Sequence, residues 1–374
     1  MGKVEGPYSP LGGMKTVLIG VGQAGGKLTR ALVDFDERME FGAILGAVGV
    51  NSAKADLSDL PFETVLVGQD RVKGHGVGGD NELGAAVMDA DRREVLSALD
   101  GSVTAEADAV FVVAGLGGGT GSGGAPVLVR ELKRIYDVPV YALGVLPGRN
   151  EGAMYQVNAG RSLKTVAREA DSLLLVDNDA FRSSGESVEQ GFDAINDAIA
   201  QRVGLLFASG EAVGGVAESV VDSSEVINTL RSGGIAALGY AAAESAEDAE
   251  GNINTVMSTT RRALLTGTSL PEASKSDAAL LVVAGEPDKI PRKGVERARR
   301  WVEEETGSQQ VRGGDFPLQS GRIASLILLG GVERSDRLEA FMQRARDAAK
   351  EADGTEERED PTDMWSTDQL DDLI

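Results

Sequence analysis

The residues with the clearest chemical potential lie in the glycine-rich run Gly117–Gly123, where Thr120 and Ser122 are the only residues with side chains. Glycine lets backbone N–H groups approach an anion closely, because no Cβ keeps the ligand away. A buried-strand pattern precedes the run, and Ala125 and Pro126 are typical of a helix start behind it. The positive end of that helix would face the run. This spacing predicts a phosphate-binding loop rather than a flexible linker.

A second glycine pattern, Gly20-x-Gly22-x-x-Gly25, follows a strand-like segment and matches the dinucleotide-binding fingerprint. That fingerprint needs an acid at the end of the next strand to bind the ribose, but Asn51 occupies the position and the nearest acid is Asp56. A P-loop is excluded as well, because the lysine after the pattern is not followed by Ser or Thr. Taken alone, the pattern is a weak signal.

A third loop, Gly74–Asn81, is also glycine-dense and holds the single histidine, His75. Such a loop could close over a terminal phosphate. Two roles for His75 stay open, a catalytic base and a local loop contact, and the second is favoured.

The composition excludes several kinds of chemistry. The chain has no cysteine and one histidine, which excludes disulfides and thiolate zinc sites and disfavours histidine triads and multi-histidine metal sites. No protein metal site is predicted. Carboxylates, hydroxyls, amides, backbone groups and a bound cation must supply the chemistry.

The charge is strongly acidic, with 59 Asp and Glu residues against 37 Lys and Arg residues and a formal net charge of −22. Such an excess repels nucleic acid and anionic membranes, so neither is an expected partner. It favours a halophilic protein, because ~1 M salt shortens the Debye length to about 3 Å and screens the repulsion. Without an apolar run long enough to span a membrane, a cytoplasmic protein is expected.

The first half alternates strand-like and helical segments, which favours an α/β fold with a parallel sheet covered by helices on both faces. Ligands of such sheets bind at the carboxyl ends of the strands, where each glycine-rich or Asn-bearing segment falls. Helices are predicted from Lys27 and over Ala125–Tyr136. The predicted strands are Lys15–Ile19, Ile44–Val50, Val65–Val67, Ala109–Ala114, Val138–Val145 and Ser172–Val176.

The second half begins with the apolar spacing of a long helix over Ser187–Phe207, which would lead into a second unit. A last helix is predicted over Ser335–Glu351, followed by an acidic disordered segment. Its apolar end, Met364–Ile374, is interpreted as a docking terminus or as a partner-binding peptide. The second unit is predicted to contain helices Ser224–Leu230 and Lys293–Glu305 and strands Ala279–Val283 and Ala324–Leu329.

Several segments together resemble one family. GGGTGSG at Gly117–Gly123 is similar to the tubulin/FtsZ signature. VGQAGGK at Val21–Lys27, VNSAKADL at Val50–Leu57 and VKGHGVGGDNELG at Val72–Gly84 resemble the CetZ group of salt-loving archaea. The resemblance implies a Rossmann-like GTPase domain joined by a long central helix to a smaller α+β activation domain, head-to-tail protofilaments, and control of cell shape.

The resemblance also divides the chain. It implies a GTP-binding domain over 14–186, a central helix over 187–208, an activation domain over 209–335 and a C-terminal helix over 336–349. Composition predicts an arm or expression remnant over residues 1–13 and an acidic disordered tail over 350–374.

Residue by residue, the match covers Gln23–Lys27 as the first phosphate loop, Asn51–Ala53 as the second, and Glu151 as the acid that binds ribose. The FtsZ arginine four residues further on is Tyr155 here, so the fifth loop is expected to hold the nucleotide differently. GTP or GDP is the implied ligand, with Mg²⁺ as cofactor. The residues implied to bind it are Gly22, Gln23, Ala24, Gly25, Gly26, Lys27, Asn51, Ser52, Gly78, Gly79, Gly117, Gly118, Gly119, Thr120, Gly121, Ser122 and Glu151.

Base recognition rests on three further residues. Guanine requires acceptors for N1–H and N2–H₂, and Asn178 ends a strand while Asn196 lies four residues after Phe192 on one helix face. Phe192 would stack on the base while Asn196 reads its edge. By itself Phe192 is typical of a core residue; the order Asn, aromatic, Asn, which is similar to that in tubulin, favours the base.

Hydrolysis needs a group that orients water against the γ-phosphate. The segment around Asp222 and Glu225 resembles the FtsZ and tubulin loop that enters the next subunit's pocket. The alternative is capping of a helix start, where Asp and Ser are favoured. FtsZ has Asn before this pair, and Val220 stands there in this chain.

The leading expectation is a GTPase that forms filaments with other copies of itself and whose hydrolysis is completed by the neighbouring subunit. An adaptor protein that binds the C-terminal tail is a further possible partner. A nucleotide-gated scaffold with little or no hydrolysis is the second, supported by Tyr155 and Val220. A dinucleotide-dependent oxidoreductase rests only on the Gly20–Gly25 pattern.

Overall fold

The computed structural model describes residues 13–181, 188–209 and 221–353. The strands are β1 (Thr16–Val21), β2 (Ile44–Asn51), β3 (Glu63–Leu66), β4 (Ala109–Gly115), β5 (Val140–Leu146), β6 (Leu173–Asp177), β7 (Ile235–Glu244), β8 (Ala273–Gly285), β9 (Gln310–Pro317) and β10 (Arg322–Ser335). The helices are α1 (Gly22–Met39), α2 (Gln69–Val72), α3 (Asn81–Ala98), α4 (Gly119–Ile135), α5 (Ala153–Glu169), α6 (Val188–Ala208), α7 (Ser223–Leu230), α8 (Ala249–Leu265), α9 (Arg292–Thr306) and α10 (Asp336–Asp353). Residues 1–12 of the arm predicted over 1–13, Val220 and the apolar tail end Met364–Ile374 lie outside the described residues.

The strands form one ten-stranded sheet in the order β3-β2-β1-β4-β5-β6-β7-β10-β8-β9. Every pairing from β3 through to β7 is parallel, whereas β10 pairs antiparallel with both β7 and β8, and β9 lies parallel to β8. The predicted α/β class is confirmed, with the parallel half in the first part of the chain. Because these strands run in one direction, their carboxyl ends share one edge.

Two apolar cores cover the two faces of the sheet. Along β1, Val17 and Ile19 pack into one core and Leu18 packs into the other, as expected for side chains that alternate across a strand. Helix α6 packs on the second core through Ile195 and Val203. Burial of both faces explains why the strands are nearly continuous apolar runs.

Helix α4 begins six residues before the predicted start, inside the glycine signature rather than behind it. The prediction placed Pro126 in the first turn, which was wrong, since Pro126 lies in the helix interior. Proline has no N–H, so the carbonyl of Ser122 loses its helical partner. The hydroxyl of Ser162 donates to that carbonyl at 2.9 Å and replaces it. Tertiary packing thus permits a helix that propensity alone disfavours.

Helix α1 also begins earlier than predicted, at Gly22 instead of Lys27. The second half contains elements that periodicity did not indicate, namely β7, α8 and β9. Within the three described ranges, every helix is too short or too polar to cross a membrane.

Candidate functional site

Two helix starts meet at the carboxyl edge of the sheet. The cap residues Val21 of α1 and Gly118 of α4 make no side-chain capping bond. A Cβ on Gly22 would lie 2.9 Å from the backbone N of Gly121, so the two first turns are in close contact. Helix N-termini carry unpaired N–H groups and a partial positive charge, and two that converge form an anion-binding site.

The glycine loop before α3 covers this cradle. Gly76, Gly78 and Gly79 all have positive φ, a conformation that favours glycine. The side-chain nitrogen of buried Asn158 donates to the carbonyls of Gly79 at 2.7 Å and Gly117 at 3.1 Å. One amide thus fixes the covering loop and the signature loop relative to each other.

His75 lies in the same covering loop and is exposed. It forms an isolated antiparallel bridge with Ala53, and the N–H of Gly76 donates to the carbonyl of Ser52 at 3.1 Å. The loop is therefore anchored to the segment after β2. His75 also lines the cavity, so both predicted roles remain compatible with its position.

These loops enclose a cavity of ≈ 490 Å³, a volume suited to a nucleotide-sized ligand. The predicted binding residues that line it are Gly22, Gln23, Ala24, Lys27, Asn51, Gly78, Gly79, Gly117, Gly118, Gly119, Thr120, Gly121, Glu151, Asn178, Phe192 and Asn196. The predicted residues that do not line it are Gly25, Gly26, Ser52 and Ser122.

Ser52 and Gly25 lie directly behind the cavity wall. The Ser52 hydroxyl is buried and lies 2.7 Å from that of Thr120, which joins the second loop to the signature helix. A Cβ on Gly25 would lie 2.2 Å from the carbonyl oxygen of Val113. The absence of a side chain at Gly25 thus lets α1 pack closely on β4.

We expect Gly25→Ala to lower the free energy of unfolding by about 1–3 kcal/mol, because the new methyl group overlaps the Val113 carbonyl. Denaturant unfolding in molar KCl measures the change. Gly321→Ala is the control, since a Cβ there meets no atom within 4 Å. Equal stability of the two variants would contradict the packing role of Gly25.

The far end of the cavity holds the predicted base-reading residues. Asn178 directly follows β6 and is buried, while Phe192 and Asn196 are half-buried, one turn apart on α6. All three line the cavity. Two amides and an aromatic ring around one slot can stack on a planar base and hydrogen-bond its edge.

Glu151 and Tyr155 line the cavity from the start of α5. One oxygen of Glu151 accepts a bond from the N–H of Gly148 at 2.7 Å, which leaves the second oxygen for a ligand. Tyr155 is 41% exposed and lines the cavity. Its Cβ lies 3.1 Å from the position of a Cβ on Gly117, so the ring of Tyr155 packs beside the signature loop.

Asp56 lines the cavity too, although the sequence patterns indicated no binding role for it. Its carboxylate accepts a bond from Gln23 Nε2 at 3.0 Å and another from Asn51 Nδ2 at 2.9 Å. A 3₁₀ turn over Ala55–Leu57 brings it back to the cavity. The sequence did contain one signal for Asp56, an acid five residues after the predicted loop residue Asn51. The separation along the chain hid the fact that the two residues line the same cavity.

A cation at this site would depend on the ligand for most of its coordination. Within the described ranges, His, Asp and Glu side chains form no group of three or more that could hold a metal ion. The cavity does offer oxygen donors, the Asp56 carboxylate and the Thr120 hydroxyl. Mg²⁺ fits such a site, because it prefers oxygen ligands and is commonly held by one carboxylate and substrate phosphates.

The predicted catalytic residues lie at the other edge of the sheet. Ile227 of α7 and Arg231, the residue directly after α7, line a cavity with Pro139 and Asp171, which precede β5 and β6. The carboxyl-edge cavity is lined instead by Val145 near the carboxyl end of β5. Seven residues of β5 separate the two edges, about 20 Å at strand spacing.

Asp222 caps α7, as the alternative interpretation expected. Its carboxylate accepts bonds from the Glu225 N–H at 3.1 Å and from the Ser224 hydroxyl. Asp222 is nevertheless exposed. Burial and the nearby Asp222 charge raise the pKa of Glu225 above its usual value, against the opposing effect of Arg312. Two carboxylates at one exposed helix start are therefore available to another molecule.

The comparisons with known proteins cover almost the whole chain. A family model described as the Tubulin/FtsZ family GTPase domain matches residues 15–185, and one described as the C-terminal domain of tubulin-like CetZ matches residues 185–347. Tubulin-like protein CetZ2 of Haloferax volcanii is 75% identical, over 96% of this chain and 100% of its own.

Two solved structures have the same fold. CetZ2 from Haloferax volcanii, described as a GTPγS-bound protofilament, superposes with a TM-score of 0.88, covering 91% of this chain and 100% of that one. CetZ1 from the same species, described as a GDP-bound monomer, is 50% identical with a TM-score of 0.83, covering 90% and 99%.

Proposed function

Because this chain belongs to the CetZ family of tubulin-like proteins, we propose that it binds GTP in the carboxyl-edge cavity and assembles head to tail into filaments. Hydrolysis then takes place between subunits, and the filament serves cell shape. The 75% identical relative that was solved as a GTPγS-bound protofilament supports the binding and the assembly. The acidic composition agrees with relatives from Haloferax volcanii.

The observation that carries the proposal is the separation of the cradle from the two carboxylates. The cavity is at the carboxyl edge of the parallel strands, and α7 is at their amino edge. The backbone of Thr229 in α7 is in contact with Gly330 of β10. Gly330 lies just past the last residue of β10 that pairs with β7, close to the start of β7. Thr229 is one turn from Glu225 and donates to its carbonyl at 2.8 Å. Asp222 and Glu225 can therefore reach only the γ-phosphate of a GTP molecule that is bound to a second subunit stacked against this edge.

In the cradle, the first-turn N–H groups of α1 and α4 bind the phosphates, and Glu151 binds the ribose. Asn178, Phe192 and Asn196 bind guanine. Asp56 and Thr120 would hold Mg²⁺ together with the phosphates, and the ion would supply charge neutralisation there.

The neighbour's Asp222 and Glu225 orient a water molecule toward the γ-phosphorus. The water oxygen forms the new P–O bond while the bond to the β–γ bridging oxygen breaks, and one carboxylate accepts the water proton. The products are GDP and inorganic phosphate. The raised pKa of Glu225 brings it closer to that of an effective proton acceptor near neutral pH.

The proposal is tested by GTP hydrolysis at increasing protein concentration in molar KCl and Mg²⁺, with light scattering read in parallel. Specific activity that rises with concentration, and scattering that needs GTP, supports hydrolysis between subunits. GTP binding with no turnover, or with turnover independent of concentration, favours the nucleotide-gated scaffold, for which Tyr155 in place of arginine is the specific observation.

Glu225 should lower the stability of the free subunit at neutral pH. Its folded-state pKa is raised, so its favourable contribution is present below the unfolded pKa and is lost as pH rises through the folded pKa. We therefore expect Glu225→Gln to unfold at equal or higher denaturant than the wild type at pH 7, with the difference vanishing in acid. Denaturant unfolding from pH 4 to pH 8 measures it. A Gln variant that is less stable at pH 7 would contradict the assigned environment of Glu225.

A further inference from the structure

An ionic cluster joins the last described helix to the base end of the cavity. The Arg337 guanidinium in the first turn of α10 donates through Nε to Asp177 and through Nη2 to Asp179, the second contact at 2.6 Å. The three side chains are 12%, 4% and 11% exposed, so the cluster is largely removed from water. A single guanidinium thus pairs with two buried carboxylates.

Both carboxylates belong to the segment that carries Asn178. Asp177 ends β6, and its other oxygen accepts a bond from the Asp179 N–H at 3.0 Å. That bond caps the short 3₁₀ turn that begins at Asn178. Arg337 therefore binds the residues on both sides of Asn178 and leaves the Asn178 amide facing the cavity.

The same cluster also reaches the loop that carries Glu151. One oxygen of Asp179 accepts bonds from Arg149, from the backbone N at 3.0 Å and from Nε at 3.1 Å. Gly148, which directly precedes Arg149, donates its backbone N–H to the Glu151 carboxylate. Burial opposes ionisation of Asp179, but hydrogen bonds from Arg149 and Arg337 outweigh it and hold its pKa below the usual value. Asp179 is thus a charged junction between two nucleotide-contacting loops.

We propose that Arg337 is a positioning residue for the nucleotide, which through Asp177, Asp179 and Arg149 sets the spacing between the guanine and ribose subsites and couples α10 to their occupancy. This inference rests on the proposed GTP binding. A buried ion pair contributes little net stability compared with apolar packing, so a role in geometry accounts better for this cluster than a role in folding. By linkage, a nucleotide that needs the cluster intact also stabilises α10.

The test compares Arg337→Met with the matched control Arg346→Met in the full-length protein. Arg346 lies nine residues further along α10 and makes no ion pair with a described residue, so both variants lose the same charge from the same helix. Titration with a fluorescent GDP avoids assembly. We expect the Arg337 variant to bind GDP on the order of 10-fold more weakly and the control to bind like the wild type.

Three further measurements separate positioning from folding. Turnover of assembled Arg337→Met should show a raised KM for GTP with kcat retained. GDP should slow hydrogen exchange in α10 of the wild type but not of the variant. Arg337→Lys, which keeps the charge but loses the two-pronged donor, should recover part of the affinity.

The outcomes distinguish the inference from the proposed function. A wild type that does not bind GDP overturns both. A folded Arg337→Met with unchanged affinity overturns the positioning role alone. If that variant does not fold, Arg149→Met decides, because the Arg149 side chain is 61% exposed and its loss leaves the contact between α10 and β6 intact. Weaker GDP binding by Arg149→Met supports the inference, and wild-type binding overturns it.

Discussion

Asp222→Asn should reduce GTP turnover in assembled protein by about 100- to 10,000-fold, the range expected when a group that orients or deprotonates water is lost. GTP binding and assembly should remain, because Asp222 does not line the cavity of its own subunit. Filaments that cannot hydrolyse GTP should persist, so light scattering should decay more slowly than in the wild type. Phosphate release at saturating GTP gives the rate.

The choice of asparagine separates catalysis from capping. Asn is as good an N-cap as Asp, so Asp222→Asn keeps the bond to the Glu225 N–H, whereas Asp222→Ala loses it at a cost of about 1 kcal/mol. If Asp222 acts only as a cap, Asn retains turnover and Ala lowers stability. If the carboxylate acts on water, both variants lose turnover alike. Wild-type turnover in Asp222→Asn would remove this residue from the proposed mechanism.

Gly118→Val should weaken GTP binding by between about 10- and 100-fold while the fold stays intact, since overpacking typically costs 1–3 kcal/mol. A Cβ on Gly118 would meet no protein atom within 4 Å, and its φ of −78° and ψ of 162° suit any residue. The side chain would instead enter the space at the start of α4, where the phosphates are proposed to bind. Titration with fluorescent GDP and a denaturant curve measure the two effects separately.

Gly321→Val is the matched control, because this glycine also has open space around its Cβ position and lies outside the cavity. Gly123→Ala should instead destabilise the fold, because a Cβ at this position would lie 1.9 Å from the Asn81 carbonyl oxygen. If Gly118→Val binds nucleotide like Gly321→Val, the phosphates do not lie at the start of α4.

The two variants can also be combined. In a mixed filament, the intact cavity of an Asp222→Asn subunit faces the intact carboxylates of a Gly118→Val subunit. At a GTP concentration that fills the Asp222→Asn cavity but not the weakened Gly118→Val cavity, each variant alone should be slow, and part of the lost turnover should return in the mixture. Additive rates in the mixture would contradict hydrolysis across the interface.

The sequence alone predicted the parallel sheet and the carboxyl-edge location of its loops, because apolar strands and glycine-rich turns are local patterns. The run Gly117–Gly123 could be recognised for the same reason. The sequence could not show that this run is helical. Helix α4 can start at Gly119 because glycines there let neighbouring backbone approach, and because Ser162 replaces the hydrogen bond that Pro126 cannot make.

Only the tertiary structure determines the contacts between segments that are distant in sequence. Asp56 meets Gln23 because a short turn folds it back, and Gly25 faces β4 rather than the cavity. The cluster of Arg337 with Asp177 joins residues 160 positions apart. Such contacts depend on how helices pack on the sheet, so no local period of the chain reveals them. The separation of the acids on α7 from the cradle follows from the same packing, and it decides that the proposed chemistry requires two molecules.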